Sequence, residues 1–373
     1  MAAGVYLHIP FCKSRCSYCD FATDVWRSSE AVERYTHALS REIESFAGTN
    51  PKSVDSIYLG GGTPSLLSPA QVKQIMDVVF EKFSVAAGVE ITMEMNPATV
   101  TPETLAAYRD AGVNRASFGV QTFNDEALKL LARGHDANDA RATFRMLREA
   151  DFDNISFDLI AGLPGQTLDD WRTNLHEALA MRPEHLSLYL LEVHEATPLA
   201  EQIRSGRRPV PDEDLAAEMY ELMVDTLESE GYGQYEISNF ARPGRESRHN
   251  SKYWLMDPVY GFGVSAHSFD GTERYANERD TARYVELIEK ESSTEVSRHE
   301  IDVPSESVFL GLRLTSGIDL AGYRLRFGID LIEKHRDDID RLVTDELVQT
   351  DDGFLRLTRR GMLFSNEVFS IFV

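Results

Sequence analysis

Cys12, Cys16 and Cys19 are the only cysteines in this chain of 373 residues. A disulfide framework uses dispersed, usually even-numbered cysteines. Three thiols this close read instead as metal ligands. Iron–sulfur clusters are held by thiolates, and three on one loop can each take one iron of a [4Fe–4S] cubane. The fourth iron then keeps an open position, the property that separates a reactive metal centre from a structural one. Structural zinc needs a fourth ligand. His8 lies four residues before Cys12, but its place on a strand turns it away, and no second Cys-x-x-Cys exists. Free structural thiols are the remaining alternative.

Other residues with chemistry to offer are spread along the chain. Gly60-Gly61-Gly62-Thr63-Pro64 can bring backbone N–H and C=O groups close to a ligand; its bland reading is a tight turn. Glu94 can accept hydrogen bonds from hydroxyls, and Arg133 can pair bidentately with a carboxylate. Gln121 and Asp158 add polar groups. Taken singly, each of these is equally well an ordinary polar residue. His249 and His267 carry imidazoles able to ligate iron, or to serve as hydrogen-bonded structural residues. Tyr253, Trp254, Tyr260, Phe262 and Phe269 offer stacking area to a flat ligand.

The elements that must position these residues follow from periodicity. Strand-like segments at 5–9, 56–59, 90–95, 115–121, 155–160 and 185–191 alternate with amphipathic segments at 30–46, 69–83, 102–111, 139–150 and 168–181. Such alternation predicts right-handed βαβ units and a parallel sheet. Six units suggest an open, partial barrel. One face of each strand is apolar and packs under helices. The other carries Tyr6, His8, Tyr58, Thr92, Glu94, Ser117, Gln121, Ser156, Asp158 and Tyr189. A closed barrel fills its interior with branched apolar side chains. Burying these polar groups unpaired would cost several kcal/mol, so the interior should hold a polar ligand or water. Glu94, Gln121 and Asp158 fall at strand carboxyl ends, where barrel enzymes place their chemistry.

From about residue 233 the alternation stops, which predicts two domains, 1–232 and 233–373. Segments 306–314, 320–327, 329–346 and 358–371 look helical. Asp351-Asp352-Gly353 within 347–357 signals a hairpin. Helices, hairpin and closing helix suggest a winged-helix-like end to an α+β accessory domain.

With 38 basic and 61 acidic side chains, the formal charge is −23. Nucleic acid and anionic membrane surfaces should repel such a chain. No window approaches the ~18 uncharged apolar residues of a membrane span, and the first residues do not form a signal peptide. A cytoplasmic location is expected, where thiols stay reduced.

The spacing Cys-x3-Cys-x2-Cys directly after a first strand resembles the radical SAM superfamily. That resemblance implies a partial (β/α)6 barrel, a [4Fe–4S] cluster and S-adenosylmethionine (SAM), which such proteins cleave reductively to a 5′-deoxyadenosyl radical. It sharpens to the oxygen-independent coproporphyrinogen III oxidase family of porphyrin biosynthesis and its haem-chaperone (HemW) branch. The motifs are Tyr6-x-His8-Ile9-Pro10-Phe11-Cys12, Gly60 to Pro64, Gly119-Val120-Gln121, the run from Asp158 to Thr167, and His249-Asn250-x-x-Tyr253-Trp254. Carried over residue by residue, Cys12, Cys16 and Cys19 hold the cluster. Tyr6, Gly61 and Glu94 contact SAM on the cluster, with Glu94 accepting from ribose hydroxyls. Gly62, Thr63, Gln121, Arg133 and Asp158 line a second SAM site. His249, Asn250, Tyr253 and Trp254 form the haem-binding motif.

Two departures favour the chaperone branch. The oxidase has a further Cys two residues after the third, where this chain has Phe21. The oxidase also has an N-terminal segment ahead of the first strand, whereas the strand pattern here starts at Val5. The resemblance therefore implies haem binding and delivery to a haem-acceptor protein, with a homodimer as a further expectation. Coproporphyrinogen decarboxylation and radical chemistry on an unrelated substrate are the alternatives.

Overall fold

The computed structural model describes residues 2–48 and 53–372. Six parallel strands form its centre: β1 Ala3–Ile9, β2 Val54–Gly61, β3 Val85–Met95, β4 Arg115–Gln121, β5 Ile155–Ala161 and β6 His185–Leu190. They lie side by side in chain order, the outcome of successive right-handed crossovers. The helices between them are α1 Ser29–Ser45, α2 Pro69–Lys82, α3 Pro102–Asp110, α4 Asp125–Leu130, α5 Ala137–Glu149 and α6 Leu168–Met181. Polar caps fix where they start. Ser68, Thr101, Asp136 and Thr167 each form a reciprocal capping box, which satisfies backbone donors at the helix entrance.

The expected strand faces hold. Val5, Leu7, Ile9, Ile57, Leu59, Met93, Phe118, Phe157 and Leu188 are buried against the helices. Tyr6, Tyr58, Thr92 and Arg115 form one cross-strand row on the opposite face. Glu94, Ser117 and Ser156 form the next row.

The same sheet continues past residue 232. After α7 Pro198–Arg204 and α8 Glu213–Ser229 come strands β7 Gly233–Glu236 and β8 Asn239–Ala241; β8 pairs antiparallel with β6, and β7 pairs antiparallel with β8 at the sheet edge. Helix α9 Arg248–Leu255 follows. Strand β9 Val259–Phe262 then pairs parallel with the free edge of β1 and leads to β10 His267–Phe269, β11 Glu273–Asn277 and β12 Glu295–Glu300, with α10 Thr281–Glu289 between the last two. One sheet of twelve strands results.

The remaining module opens with α11 Val303–Gly311 and contains a three-stranded antiparallel sheet. The Asp352-Gly353 turn joins the hairpin strands Val348–Asp351 and Phe354–Leu357. Both turn residues have positive φ (49° and 81°), the type I′ geometry that suits hairpin twist. Two expected helices are each split. Segment 329–346 breaks at His335, whose ring packs on Phe372 (centroids 5.1 Å apart) and whose ψ of 31° is not helical. Segment 358–371 breaks at Phe364, with ψ of 26°. No helix among the described residues is long and apolar enough to cross a membrane.

Candidate functional site

The loop leaving β1 carries the three cysteines to the carboxyl end of the barrel. All three are free and half-buried, and burial pushes the Cys12 and Cys19 thiols up. The loop is pinned from both sides. His8 Nε2 lies 2.8 Å from the Ala22 carbonyl, which can only accept, so Nε2 carries the proton. Burial holds His8 neutral, so Nδ1 accepts the Tyr6 hydroxyl at 3.0 Å. Ser17 N donates to Leu131 O at 2.9 Å, and Leu199 N donates to Ser17 O at 2.8 Å.

The glycine turn after β2 meets this loop. Gly62 N donates to Ile9 O and Thr63 N to Phe11 O, both at 2.8 Å. Gly61 has φ of +111°, and a Cβ there would sit 2.6 Å from the His8 ring, so the turn requires glycine. Its N–H donates to Glu94 Oε2 at 2.9 Å, and Tyr58 donates to Glu94 Oε1 at 2.8 Å. Burial raises the Glu94 carboxyl to about 7 despite these bonds. Burial likewise raises Asp158, against the pull of Ser187, Arg115 and Arg133.

Two donors face the sulfurs. The Thr63 hydroxyl points at Cys12 Sγ from 3.6 Å, and Arg133 Nη1 donates to Cys16 Sγ at 3.4 Å. Arg133 Nη2 is held by Asn96 Oδ1 (2.7 Å) and Gly119 O (2.6 Å), while its Nε is buried without a partner. Gln121 sits beside it on a strand irregularity, with φ of 67°. Cys12, Cys16, Thr63, Asn96, Arg133 and His135 line a cleft of about 400 Å³, counting space open to solvent.

The donor set fits a cluster. Three free thiols share one loop, and hydrogen-bond donors face two of the sulfurs. Thiolate sulfurs with such donors are the ligand chemistry of an iron–sulfur cubane, which takes one iron per thiolate.

The structure thus brings together Cys12, Cys16, Cys19, Tyr6, Gly61, Gly62, Thr63, Glu94, Gln121, Arg133 and Asp158. It places His249, Asn250, Tyr253 and Trp254 on α9, under the amino ends of the strands, where the inner wall of Tyr6 and Tyr58 separates His249 from the cysteine loop. His249 is buried, with Nδ1 3.1 Å from Ser56 Oγ and Nε2 3.2 Å from the Tyr253 hydroxyl. Its ring stacks on Tyr58 and Tyr6, at centroid distances of 5.1 and 6.3 Å. Desolvation, then the Lys252 and Arg115 charges, lower it to about 3. Asn250 lies in the first turn, its N–H donating to the Ser247 cap at 3.3 Å. The Trp254 ring lies under the Arg313 guanidinium, 4.3 Å away. Tyr253 is 37% exposed over His249. Tyr260, Phe262 and Phe269 are buried. Phe46 packs on Tyr260 and Phe262, and the rings of Phe46, Tyr260 and Phe262 line a cavity with Tyr275 and Arg298. His267 is exposed on β10.

Sequence reading missed Asn96 and Arg115. Asn96 was visible two residues after Glu94. Arg115, 1% exposed on the interior row, was visible as the one charged residue of its strand, at its first position.

A radical SAM superfamily family model matches residues 6–178, and a model described as the HemN C-terminal domain matches 299–364. The haem chaperone HemW of Bacillus subtilis is 37% identical over 375 residues, covering 99% of both chains. That of Lactococcus lactis is 34% identical, covering 99% of this chain and 97% of its own. Among solved structures, coproporphyrinogen III oxidase (HemN) from Escherichia coli matches with a TM-score of 0.87 and 25% identity, covering 100% of this chain and 90% of that one. A buried polar barrel under a three-cysteine loop, matched end to end at this identity, places the chain within the radical SAM superfamily, in the HemW family.

Proposed function

We propose that this protein binds a [4Fe–4S] cluster, SAM and haem, and passes haem to acceptor proteins in the cytoplasm. The observation behind the cluster is the loop of three half-buried thiols above a polar barrel interior, with Thr63 and Arg133 aimed at two of the sulfurs. Cys12, Cys16 and Cys19 would hold three irons. The cluster, when bound, supplies the electron for reductive cleavage of SAM. The N–H groups of Gly61, Gly62 and Thr63 are committed inside the fold, so an ammonium group would be received by carbonyl oxygens of this turn. Glu94 would accept from ribose hydroxyls, and Tyr6 would close the inner wall. Gln121, Arg133 and Asp158 would hold a second SAM or shield the first from water.

Haem would be bound away from the cluster. Five strand residues separate the levels of Gly4 and Ile9, on the order of 15 Å at the rise of a strand. His249 is neutral, the form that ligates iron, but both ring nitrogens are engaged. Coordination there requires the half-exposed Tyr253 to swing off Nε2. The names of the HemW relatives support this reading. Partners would be haem-acceptor proteins and, on haem loading, a second copy of the chain.

The decisive measurement is a haemin titration of anaerobically reconstituted protein. A saturable Soret shift at one haem per chain is expected. It should weaken at least tenfold in His249→Ala and form faster in Tyr253→Phe, which frees Nε2. A non-saturable shift, or one that both variants leave unchanged, removes His249 from haem binding. The likeness to the Escherichia coli oxidase, at a TM-score of 0.87, favours coproporphyrinogen decarboxylation as the second reading. Formation of protoporphyrinogen and 5′-deoxyadenosine by the same sample would establish it instead.

A further inference from the structure

Asn96 joins the two groups that face cysteine sulfur. Its Nδ2 donates to Thr63 Oγ1 at 2.7 Å, and its Oδ1 accepts from Arg133 Nη2 at 2.7 Å. The amide orientation is fixed by chemistry, because a guanidinium only donates. The consequence at Thr63 is directional. A threonine hydroxyl has one proton, and with Asn96 donating to its oxygen, that proton is left for Cys12 Sγ, 3.6 Å away. At Arg133, Asn96 and the Gly119 carbonyl engage Nη2, which aims Nη1 at Cys16 Sγ from 3.4 Å. A Cβ at Gly119 would come within 3.3 Å of Nη2, so the backbone leaves room for this pose and little more.

Asn96 is itself held. Its carbonyl accepts from Thr99 Oγ1 at 2.6 Å and Thr99 N at 3.2 Å, and the Ser65 hydroxyl lies 2.7 Å from Thr99 Oγ1. A single amide on a braced turn therefore orients both donors.

We infer that Asn96 is a positioning residue that keeps Thr63 and Arg133 hydrogen-bonded to two of the cluster's thiolates and so sets the cluster's reduction potential; this rests on the cluster proposed above. Hydrogen bonds to cluster sulfur favour the reduced, more negatively charged state and raise the potential. Asn96 touches neither iron nor sulfur and acts through the two donors.

The test is an EPR-monitored redox titration of reconstituted wild type, Asn96→Ala, Thr63→Val and Thr63→Ser, with iron and sulfide counted in each. Asn96→Ala and Thr63→Val should move the midpoint to more negative potential at unchanged iron content. The Asn96→Ala/Thr63→Val double variant should shift by less than the sum, because both changes remove the same bond. Thr63→Ser, which keeps the hydroxyl, should stay at the wild-type value. An unshifted midpoint in fully loaded Asn96→Ala overturns the inference, as does an equal shift in Thr63→Ser and Thr63→Val. If Asn96→Ala does not fold, the near-isosteric Asn96→Leu, which removes both amide contacts, takes its place with the same expected shift and the same overturning result. Failure of wild type to take up iron is a different result, and it sinks the cluster itself.

Discussion

Glu94 shows what single side chains give up for the site. Its carboxyl is raised from the ordinary 4.5 to about 7, first by burial and in part by the nearby Asp158 charge. The sign is opposite to that of a salt-bridged acid. Near pH 4.5 and below, folded and unfolded states are both largely protonated and no penalty exists. As pH rises from 4.5 to 7, the unfolded chain releases a proton that the folded chain keeps, so this group progressively destabilises the fold. The penalty is complete above 7. At 1.36 kcal/mol per unit, and allowing for some exposure, it amounts to roughly 1–3 kcal/mol. Glu94→Gln should therefore gain on wild type by that amount between pH 5 and 8, in urea titrations at matched ionic strength. A constant offset is also expected, because a single amide oxygen replaces the two oxygens that accept from Tyr58 and Gly61. A stability difference independent of pH would show that the carboxylate is ionised and compensated throughout, with Arg115 the charge to suspect. Residues of this kind were legible because they occur in short runs: cysteines, glycine turn and Glu94 each belong to a contiguous motif. Asn96 was written in the same run as Glu94. Its role was not legible, because its partners Thr63 and Arg133 lie 33 and 37 residues away in sequence.

Among the elements, α1 is the one that ties the barrel to its added strands. Glu42 accepts from Gly263 N (2.7 Å), Asn277 Nδ2 (2.6 Å), the Tyr284 hydroxyl (2.6 Å) and the Thr294 hydroxyl (3.2 Å). Four donors from the β9 to β12 region thus converge on one carboxylate, whose acidity burial weakens. Tyr35 on the same helix donates to His8 O at 2.7 Å and accepts from Val264 N at 3.1 Å. Glu42→Ala would leave the Gly263 N–H and the Tyr284 hydroxyl without an acceptor, while Asn277 and Thr294 keep the Gly263 carbonyl and the Asn277 amide oxygen. It should cost about 3–5 kcal/mol, read as a lower denaturation midpoint at unchanged slope. A loss under 1 kcal/mol would mean that water replaces the carboxylate and that the helix is held by packing alone. The parallel strands and their helices were readable from periods of two and 3.6. The strands from 259 to 300 were not. They have three to six residues each, and every residue of β12 is exposed, so no apolar period marks them. What makes them strands is the open edge of β1, some 250 residues earlier, and no local signal announces such a partner. The burial of His249 escaped for the same reason, since the pairing of β9 with β1 carries α9 under the barrel.

At the scale of the whole molecule, the question is whether the C-terminal module can come apart from the barrel. The family models match two separate stretches, 6–178 and 299–364, and the end of the strand–helix alternation suggested a division near 233. The contacts run the other way. One hydrophobic cluster extends from Ala3 to Phe372. Arg313 lies between the Trp254 ring and the buried Glu236 carboxylate, 3.6 Å away. Arg359 reaches Glu221 and Asp225 on α8 at 2.6 and 2.8 Å. Tyr220 and Met362 meet at 3.4 Å. Exposed ion pairs contribute little, so the shared apolar core and the enclosed Trp254–Arg313–Glu236 stack must carry the coupling. Removing the module would uncover Trp254 and leave a buried carboxylate unpaired, a combination that costs several kcal/mol. Barrel and module should therefore unfold together. Calorimetry is expected to show a single transition in which van't Hoff and calorimetric enthalpies agree. Trp254→Ala should lower that transition by several degrees without splitting it, because the rest of the seam remains. Two resolved peaks in the wild type, the smaller of a size suited to the last seventy or so residues, would mean that the module folds independently and that α9 is free to move relative to it.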